Sequence, residues 1–218
     1  MRKYKIVIII VLLLSNYIEA NAQKDVLWKF KTSGRIYSTP LIVDDIMFFG
    51  SGDNNLYAVN KNNGKEVWRF TTEGEIHSSP NLINNIVCFA STDGNLYGVN
   101  KTTGKLIWKF KSQGEKMYGL WDYYLSSPKG DEQTVYWGSG DANLYAINFS
   151  NGKLKWKYQT KGIIHASPVI YDNKIFIGSF DGSFYCINKE DGSLVWDFKT
   201  IGAGYFPKGE IQKAALVD

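Results

Sequence analysis

Apolar and polar positions follow one another in the same order four times between residues 37 and 200. In the second copy the extended runs are "SSPNLI", "IVCFAS", "NLYGVN" and "KLIWKFK", separated by the turn signals "NN", "TDG" and "KTTG". Short runs of β-branched and aromatic residues between such turns are typical of strands. No part of the chain after residue 22 has the period of an amphipathic helix. The pattern predicts an all-β protein made of four-stranded antiparallel meanders.

The second and fourth strands of each copy differ in how they meet water. The second strands "IMFFG", "TVYWG" and "KIFIG" are apolar at consecutive positions, so both of their faces must be covered. The fourth strands "WKFK" and "WKYQ" alternate aromatic with polar residues and keep one side in water. A sheet that is covered on both faces by neighbouring sheets of the same kind, and whose outer strand has one solvent-exposed side, is a β-propeller blade.

Tryptophan marks the interval of the repeat. Trp28, Trp68 and Trp108 are 40 residues apart, Trp156 follows after 48, and Trp196 follows after another 40. The interval predicts blades at about 37–72, 77–112, 117–160 and 165–200, with the start of a fifth at 211–218. An outer strand over Val26–Lys31 would complete another blade. We therefore expect an incomplete ring of about four blades and interpret the chain as a fragment of a longer propeller.

The third copy carries the extra length. "PKGDEQ" is too highly charged to form a buried strand, so we expect the inner strand of this blade near Trp121–Leu125. The additional residues are then expected in the loop "SSPKGDE". Aromatic residues are dense in this copy, and breaks of register in repeat proteins often mark a binding face. Tyr and Trp also dominate interface hot spots. The candidate partner contacts are Tyr118, Trp121, Tyr123 and Tyr124. The alternative is that the inner strand near Trp121–Leu125 buries Trp121 and Tyr123 in blade packing, in which case Tyr118 and the loop "SSPKGDE" are the better candidates.

The N-terminus predicts export. Three positive charges in "MRKYK", the apolar run Ile6–Leu14 and the small residues "ANA" are typical of a signal peptide over residues 1–22. Its removal leaves 22 Lys and Arg against 20 Asp and Glu, spread along the chain, so no nucleic-acid footprint is present. No transmembrane segment is expected after cleavage. Cys88 and Cys186 lie in apolar strand-like runs of different copies and are interpreted as buried free thiols.

One motif resembles a known family. "AVNKNNGKEVW", "GVNKTTGKLIW", "AINFSNGKLKW" and "CINKEDGSLVW" are similar to the tryptophan-docking motif of the quinoprotein-type, PQQ-like β-propeller repeat. The resemblance covers essentially the whole mature chain. It implies that each tryptophan ring packs on the glycine peptide of a neighbouring motif and so links the blades. The residues concerned are Trp28, Trp68, Trp108, Trp156 and Trp196, with Gly64, Gly104, Gly152 and Gly192.

The resemblance implies more than one function. The first is an exported, non-catalytic scaffold for protein–protein interaction in the bacterial cell envelope, without a cofactor, similar to BamB-type factors. Its partners would be envelope proteins such as the outer-membrane assembly machinery. The alternatives are a fragment of a quinoprotein dehydrogenase, which would bind PQQ with calcium, and an exported sensor or surface-binding module. Neither adjacent cysteines nor a "CxxCH" haem site occurs in the sequence.

Two sets of polar residues recur with the repeat. His77 and His165 precede "SSP" and "ASP" at matching places, and Asp53, Asp93, Asp141 and Asp181 occupy matching turns. Residues that recur in register are more often structural than functional. We therefore expect the histidines to be structural and the aspartates to stabilise hairpins, rather than to bind a metal or a ligand.

Overall fold

The computed structural model describes residues 26–116 and 124–200. Within these ranges it contains sixteen strands and no helix. They are β1 (Leu41–Val43), β2 (Ile46–Gly50), β3 (Asn55–Asn60), β4 (Glu66–Thr71), β5 (Asn81–Ile83), β6 (Ile86–Ala90), β7 (Asn95–Asn100), β8 (Leu106–Lys111), β9 (Lys129–Gly130), β10 (Thr134–Gly138), β11 (Asn143–Asn148), β12 (Leu154–Gln159), β13 (Val169–Tyr171), β14 (Lys174–Gly178), β15 (Ser183–Asn188) and β16 (Leu194–Lys199).

The strands form four antiparallel sheets of four strands each, paired in chain order. We number them as blade 1 (β1–β4), blade 2 (β5–β8), blade 3 (β9–β12) and blade 4 (β13–β16). The outer strand of every blade carries a register shift against the third strand, for example between Ala58 and Val59 in blade 1. In the described residues the blades form an open arc and not a closed ring. The predicted all-β propeller of four-stranded blades is confirmed.

The hydrophobic cores lie between blades and not within them. Phe48 and Leu56 of blade 1 pack against Val87 and Phe89 of blade 2. The next core joins Cys88 and Leu96 of blade 2 to Val135, Trp137 and Tyr145 of blade 3, and a third joins Tyr136 and Leu144 to Ile175 and Ile177 of blade 4. Each middle sheet is therefore covered on both faces, as the unbroken apolar runs predicted.

Burial differs between strands in the way that the alternation predicted. Every residue of β6 and of β10 is buried. Every residue of β16 is exposed, and β4 and β12 alternate exposed with half-buried positions. Both cysteines are buried and free, which confirms that prediction.

The inner strand of blade 3 is not where the sequence placed it. It is β9, Lys129–Gly130, which pairs with Tyr136 and Val135 of β10. Our expectation of a strand near Trp121–Leu125 was wrong because it assumed that this strand had to be long and buried. With two residues, one of them exposed, β9 places no charge in the core.

The serine register locates the extra residues. The N–H of Gly138 donates to Ser126 Oγ (3.1 Å), as the N–H of Ala90 donates to Ser78 Oγ (2.7 Å), so the two serines are equivalent. Ser126 follows Trp108 by 18 positions, whereas Ser78 follows Trp68 by 10. The eight additional residues therefore lie in the connection between β8 and β9, and not in "SSPKGDE" as expected.

Several predicted segments lie outside the described residues, namely the signal peptide at 1–22, the fifth-blade strand at 211–218, and Tyr118, Trp121 and Tyr123. Residues 26–31 are described and are not assigned as a strand. Because the prediction for Val26–Lys31 concerned a blade completed by strands outside this sequence, it stays a prediction. No helix in the described ranges is long and apolar enough to cross a membrane.

Candidate partner-binding face and blade junctions

The turns between second and third strands and the connections between blades lie together at one end of the blades. In blade 1, Ser51 O accepts the N–H of Ile76 (3.1 Å), and Glu75 O accepts the N–H of Thr92 from the turn of blade 2 (2.9 Å). The same bonds recur further along, with Ser139 O accepting from Ile164 (3.0 Å). We call this end the connection face. The turns between first and second and between third and fourth strands form the opposite end, the turn face.

An aspartate holds each turn of the connection face. Asp53 Oδ2 accepts hydrogen bonds from the Tyr57 hydroxyl (2.9 Å) and from the N–H of Ser33 in the preceding connection (2.9 Å). Asp53 Oδ1 accepts the N–H of Asn55 (3.3 Å). Asp93, Asp141 and Asp181 make the same three kinds of bond. The predicted hairpin role is confirmed, and these residues also tie each turn to the connection that precedes it.

These contacts lower the pKa of Asp53 and raise the pKa of the tyrosine in each pair. Burial favours the neutral form of Asp53, but hydrogen bonds from Ser33, Tyr57, Asn55 and Ser51 outweigh it and leave the pKa below its ordinary value. Burial raises the pKa of Tyr97, and the bond to Asp93 raises it further. Each of the four tyrosines is therefore a neutral donor around neutral pH, and Asp53 is an ionised acceptor. This is a structural pairing, because the carboxylate oxygens are already occupied.

A buried carboxylate–imidazole pair lies where the long connection leaves blade 2. His165 Nε2 is 2.7 Å from Glu115 Oε1, and the two side chains are 0% and 2% exposed. Glu115 also accepts the N–H of Gly140 (3.0 Å) and the hydroxyl of Ser139 (3.2 Å). Because every carboxylate contact is with blade 3 or blade 4, Glu115 fixes the start of the long connection against both blades.

His77 has a different environment in spite of its matching register. Its ring is 1% exposed, and Glu75 Oε2 lies 2.6 Å from Nε2 without hydrogen-bond geometry. Neither ring nitrogen has a hydrogen-bond partner among the described residues. The Tyr37 ring meets it edge-on at 4.8 Å between centroids. Both histidines thus pack beside a glutamate in the core. In the described ranges no group of three or more His, Cys, Asp or Glu side chains could hold a metal ion.

A chain of serine hydrogen bonds joins the inner ends of the blades. The N–H of Thr39 donates to Ser79 Oγ (2.8 Å), the N–H of Ser79 to Ser127 Oγ (2.9 Å), and the N–H of Ser127 to Ser167 Oγ (3.0 Å). These serines are those of the "SP" elements that precede each inner strand. Blade 3 keeps this bond although its inner strand is only two residues long, which explains how the short strand is held in register.

Tryptophan and glycine meet at the outer junctions. The indole N–H of Trp68 donates to Lys101 O (3.1 Å) of blade 2, and a Cβ on Gly104 would lie 2.7 Å from the Trp68 ring. Trp108 makes the same contacts with Phe149 O and Gly152, and Trp156 with Lys189 O and Gly192. All three glycines have φ near +70°, so each position excludes a Cβ by conformation and by space.

The other predicted site residues are arranged as follows. Trp196 lies on β16 and is 43% exposed, with Phe176 and Phe184 of its own blade at 6.0 and 6.4 Å. Gly64 has φ +69° in the turn of blade 1. Trp28 lies in the segment without secondary structure. Of the candidate partner contacts only Tyr124 is described; it directly precedes the buried Leu125 and Ser126 and is 50% exposed.

Sequence reasoning missed two arrangements. The Asp–Tyr pairs were detectable, because "D-x-x-x-Y" recurs at Asp53, Asp93, Asp141 and Asp181 with a tyrosine four residues later each time. The Glu115–His165 pair carried a weaker signal. Glu75 and Glu115 each follow a repeat tryptophan by seven residues, but nothing local indicates that Glu115 reaches a histidine two blades along.

Comparison with known proteins identifies the family. The family model described as outer membrane protein assembly factor BamB matches residues 16–124 and 120–207. The chain belongs to this family. The sequence resemblance to PQQ-like repeat proteins is thereby confirmed. No curated protein sequence matched the chain.

Solved structures support the fold. The crystal structure of BamB from Moraxella catarrhalis matches with a TM-score of 0.72 at 15% identity, over 87% of this chain and 58% of that one. The quinohemoprotein alcohol dehydrogenase of Comamonas testosteroni matches with 0.65 at 15% identity, over 76% and 35%. The computationally designed protein Ika8 matches with 0.68 at 17% identity, over 82% and 52%. This chain thus spans little more than half of the BamB structure and about a third of the dehydrogenase.

Proposed function

We propose that this BamB-family chain is an exported, non-catalytic scaffold that binds partner proteins of the bacterial envelope, with the outer-membrane assembly machinery as the expected class of partner. The proposal rests on the family match and on the sequence signal for export. A protein with this role would act in the periplasm or elsewhere in the cell envelope. No cofactor is needed for this role.

The lengthened connection carries the proposal. The connections from β4 to β5 and from β12 to β13 follow one plan, and the β8–β9 connection adds eight residues to it at the connection face. Buried Glu115 fixes one end, and β9 with Ser127 fixes the other. A loop that is held at both ends on a rigid scaffold is a common site of recognition. Tyr124, half exposed at its base, is one proposed contact, and Tyr118, Trp121 and Tyr123 are the others.

The test is to shorten this connection to the common length. Deleting Lys116–Tyr123 joins Glu115 to Tyr124 as Glu75 is joined to Ile76. We expect the deletion, and more weakly Tyr124→Ser, to reduce co-purification of the organism's own outer-membrane assembly proteins with the full-length protein. Tyr171→Ser is the matched control, because Tyr171 is also a 50% exposed tyrosine but lies at the end of β13, beside the turn face.

The outcomes separate the two parts of the proposal. Undiminished capture by the deletion variant would remove the connection as the binding site. If no outer-membrane assembly protein co-purifies even with the natural chain, the scaffold role in that machinery is wrong. Calcium-dependent binding of PQQ, or dye reduction with alcohols by the full-length protein, would instead support the dehydrogenase alternative.

A further inference from the structure

A cleft opens between blades 3 and 4 on the turn face, away from the long connection. Its volume is about 690 Å³, within the range of about 300–1,000 Å³ that is usual for ligand sites. The first turn of blade 3 lines one side, β12 the base, and the Lys189–Glu190 turn of blade 4 the other side. The equivalent crevice between blades 1 and 2 measures 240 Å³.

Departures from the repeat account for the larger size. The first turn of blade 1 has two residues between its strands, and that of blade 3 has three, Asp131–Gln133. Three apolar residues of the smaller crevice, Val43, Ile46 and Val67, are replaced in the cleft by Asp131, Thr134 and Lys155. Glu190 takes the place of Thr102. Since blades 1 and 2 pack well without these changes, blade packing does not require them.

Internal pairing leaves two carboxylates unused. Lys189 Nζ lies 3.2 Å from Asp131 Oδ2, and Lys155 Nζ donates to Thr134 Oγ1 at 2.7 Å. Burial raises the pKa of Asp131, but bonds from Gln133, Lys189 and Thr134 outweigh it and lower the pKa overall, so Asp131 is ionised. Glu132 and Glu190 are exposed, and neither carboxylate has an ion pair or hydrogen bond in the described part of the chain, although the Glu190 N–H donates to Asn188 Oδ1 (2.9 Å). The formal charge of the lining is negative.

The Trp156 ring of β12 forms the aromatic base of the cleft, and the Tyr136 ring beside it is 2% exposed. Tyr136 and Trp156 lie 5.8 Å apart between ring centroids, and the indole N–H of Trp156 donates to Lys189 O at 3.2 Å. A long basic side chain has an apolar stem and a cationic end, so it suits a site with an aromatic base and acidic rims. A cation near the ring faces would gain a further electrostatic attraction.

We propose that this cleft binds an arginine or lysine side chain of a partner protein. The stem of that side chain packs on the half-buried Trp156 ring, and its cationic group bonds to Glu132 and Glu190. The Lys155 ammonium repels the bound cation, so removing this charge should strengthen binding. This site rests on the proposed scaffold function for the identity of the partner. It lies on the turn face, whereas the long connection lies on the connection face.

A small probe tests the site without any partner protein. We expect Nα-acetyl-arginine methylamide to shift the Trp156 indole N–H resonance of the full chain saturably, with the resonance assigned by Trp156→Phe. The citrulline analogue has nearly the same shape without the charge and should not saturate. Glu132→Gln with Glu190→Gln should weaken arginine binding by about tenfold or more, the size expected for a lost charge-assisted hydrogen bond. Lys155→Val, which restores the residue of blade 1, should strengthen it.

A carboxylate outside the cleft provides the matched control. Glu73→Gln removes an exposed carboxylate on the connection face and should leave probe binding unchanged, and thermal unfolding checks that each variant is folded. Equal binding of arginine and citrulline, preferred binding of the glutamate analogue, or no saturable shift would overturn the proposal. Because no partner is present, such a result leaves the scaffold function standing, whereas failed capture of assembly proteins leaves this site standing.

Discussion

Blades are joined by glycines that lack a Cβ as well as by the tryptophan rings that pack on them. At Gly104 the absence of a Cβ lets the Trp68 ring lie on the peptide, and the same holds for Gly152 under Trp108. The positive φ of these turns independently disfavours any other residue. In blades 2, 3 and 4 the glycine of the turn between third and fourth strands therefore serves its own hairpin and the tryptophan of the preceding blade.

Gly104→Ala should separate these two effects when it is compared with Gly94→Ala. Both positions have positive φ, and a Cβ at Gly94 would meet its nearest atom at an ordinary 3.4 Å. Gly94→Ala should lower the free energy of unfolding by about 1–2 kcal/mol, the conformational cost alone. Gly104→Ala should cost clearly more, because the Trp68 ring must move. Urea unfolding measures both, and equal losses would show that the ring contact contributes little.

Asp53→Asn should make stability less dependent on acid. The pKa of Asp53 is lower in the folded protein than in the unfolded chain, so its carboxylate stabilises the fold fully above the unfolded pKa of about 4. This contribution is lost as pH falls through the folded pKa. The difference in unfolding free energy between the natural chain and the variant should thus be constant from neutral pH to about pH 5 and shrink below about pH 4.

A control variant is available at the turn face. Asp172→Asn removes an exposed carboxylate that accepts no hydrogen bond in the described ranges, and the pH dependence of its stability reports the effect of net charge. The residue has φ +51°, which Asn also adopts, so any backbone effect is independent of pH. The contrary outcome would be measured at about pH 2.5, roughly one unit or more below the unfolded pKa of aspartate. If the difference in unfolding free energy between the natural chain and Asp53→Asn is unchanged there, the assigned role of the carboxylate is wrong.

At the scale of elements, an inner strand can be very short if the neighbouring blades hold it. β9 has two residues. Its register is fixed from outside the strand by Ser126, which bonds Gly138 and Ala166, and by Ser127 in the chain of inner-end bonds. The blade therefore depends on these bonds more than blades 1, 2 and 4 do, whose inner strands have three residues.

Ser127→Ala should consequently destabilise the protein more than Ser79→Ala. Each variant leaves one backbone N–H without its acceptor, that of Ser79 or that of Thr39, and an unmade buried hydrogen bond costs about 1–3 kcal/mol. Thr39 is exposed, so its N–H can donate a hydrogen bond to water instead. Ser150→Ala, in an exposed turn, is the neutral control. Thermal unfolding that ranks the three variants otherwise would show that the serine chain does not support β9.

Periodicity predicted most of the fold, and its failures have a physical cause. The blades, the wet outer strands and the Asp turns followed from patterns that repeat with the chain. The inner strand of blade 3 did not, because the charges of "PKGDEQ" argue against a long buried strand, whereas a partly exposed strand of two residues tolerates them. The Glu115–His165 pair and the cleft beside Glu190 depend on which blades become neighbours, and no local pattern carries that information.

The whole molecule behaves as a row of sheets whose cores lie at the junctions. Each blade contributes one face to the core before it and one to the core after it, as β10 and β11 do through Val135 and Tyr145 on one side and Tyr136 and Leu144 on the other. Stability in such a repeat is a sum of unit and nearest-neighbour terms. Local stability should therefore follow the number of covered faces.

Hydrogen exchange should reveal this gradient. We expect the amides of β10 and β11 to exchange slowest, since every residue of β10 is buried and both faces of the sheet are covered. The amides of β16 that pair with β15 should exchange much faster, because every side chain of β16 is exposed, including Phe198 at 60%. β12 is the matched reference, an outer strand of the same length whose Trp156 is bonded to blade 4, and it should be intermediate. If β16 is instead protected as strongly as β12 in the full-length protein, then the aromatic face of Phe176, Phe184 and Trp196 is covered in solution, and blade 4 has a further neighbour.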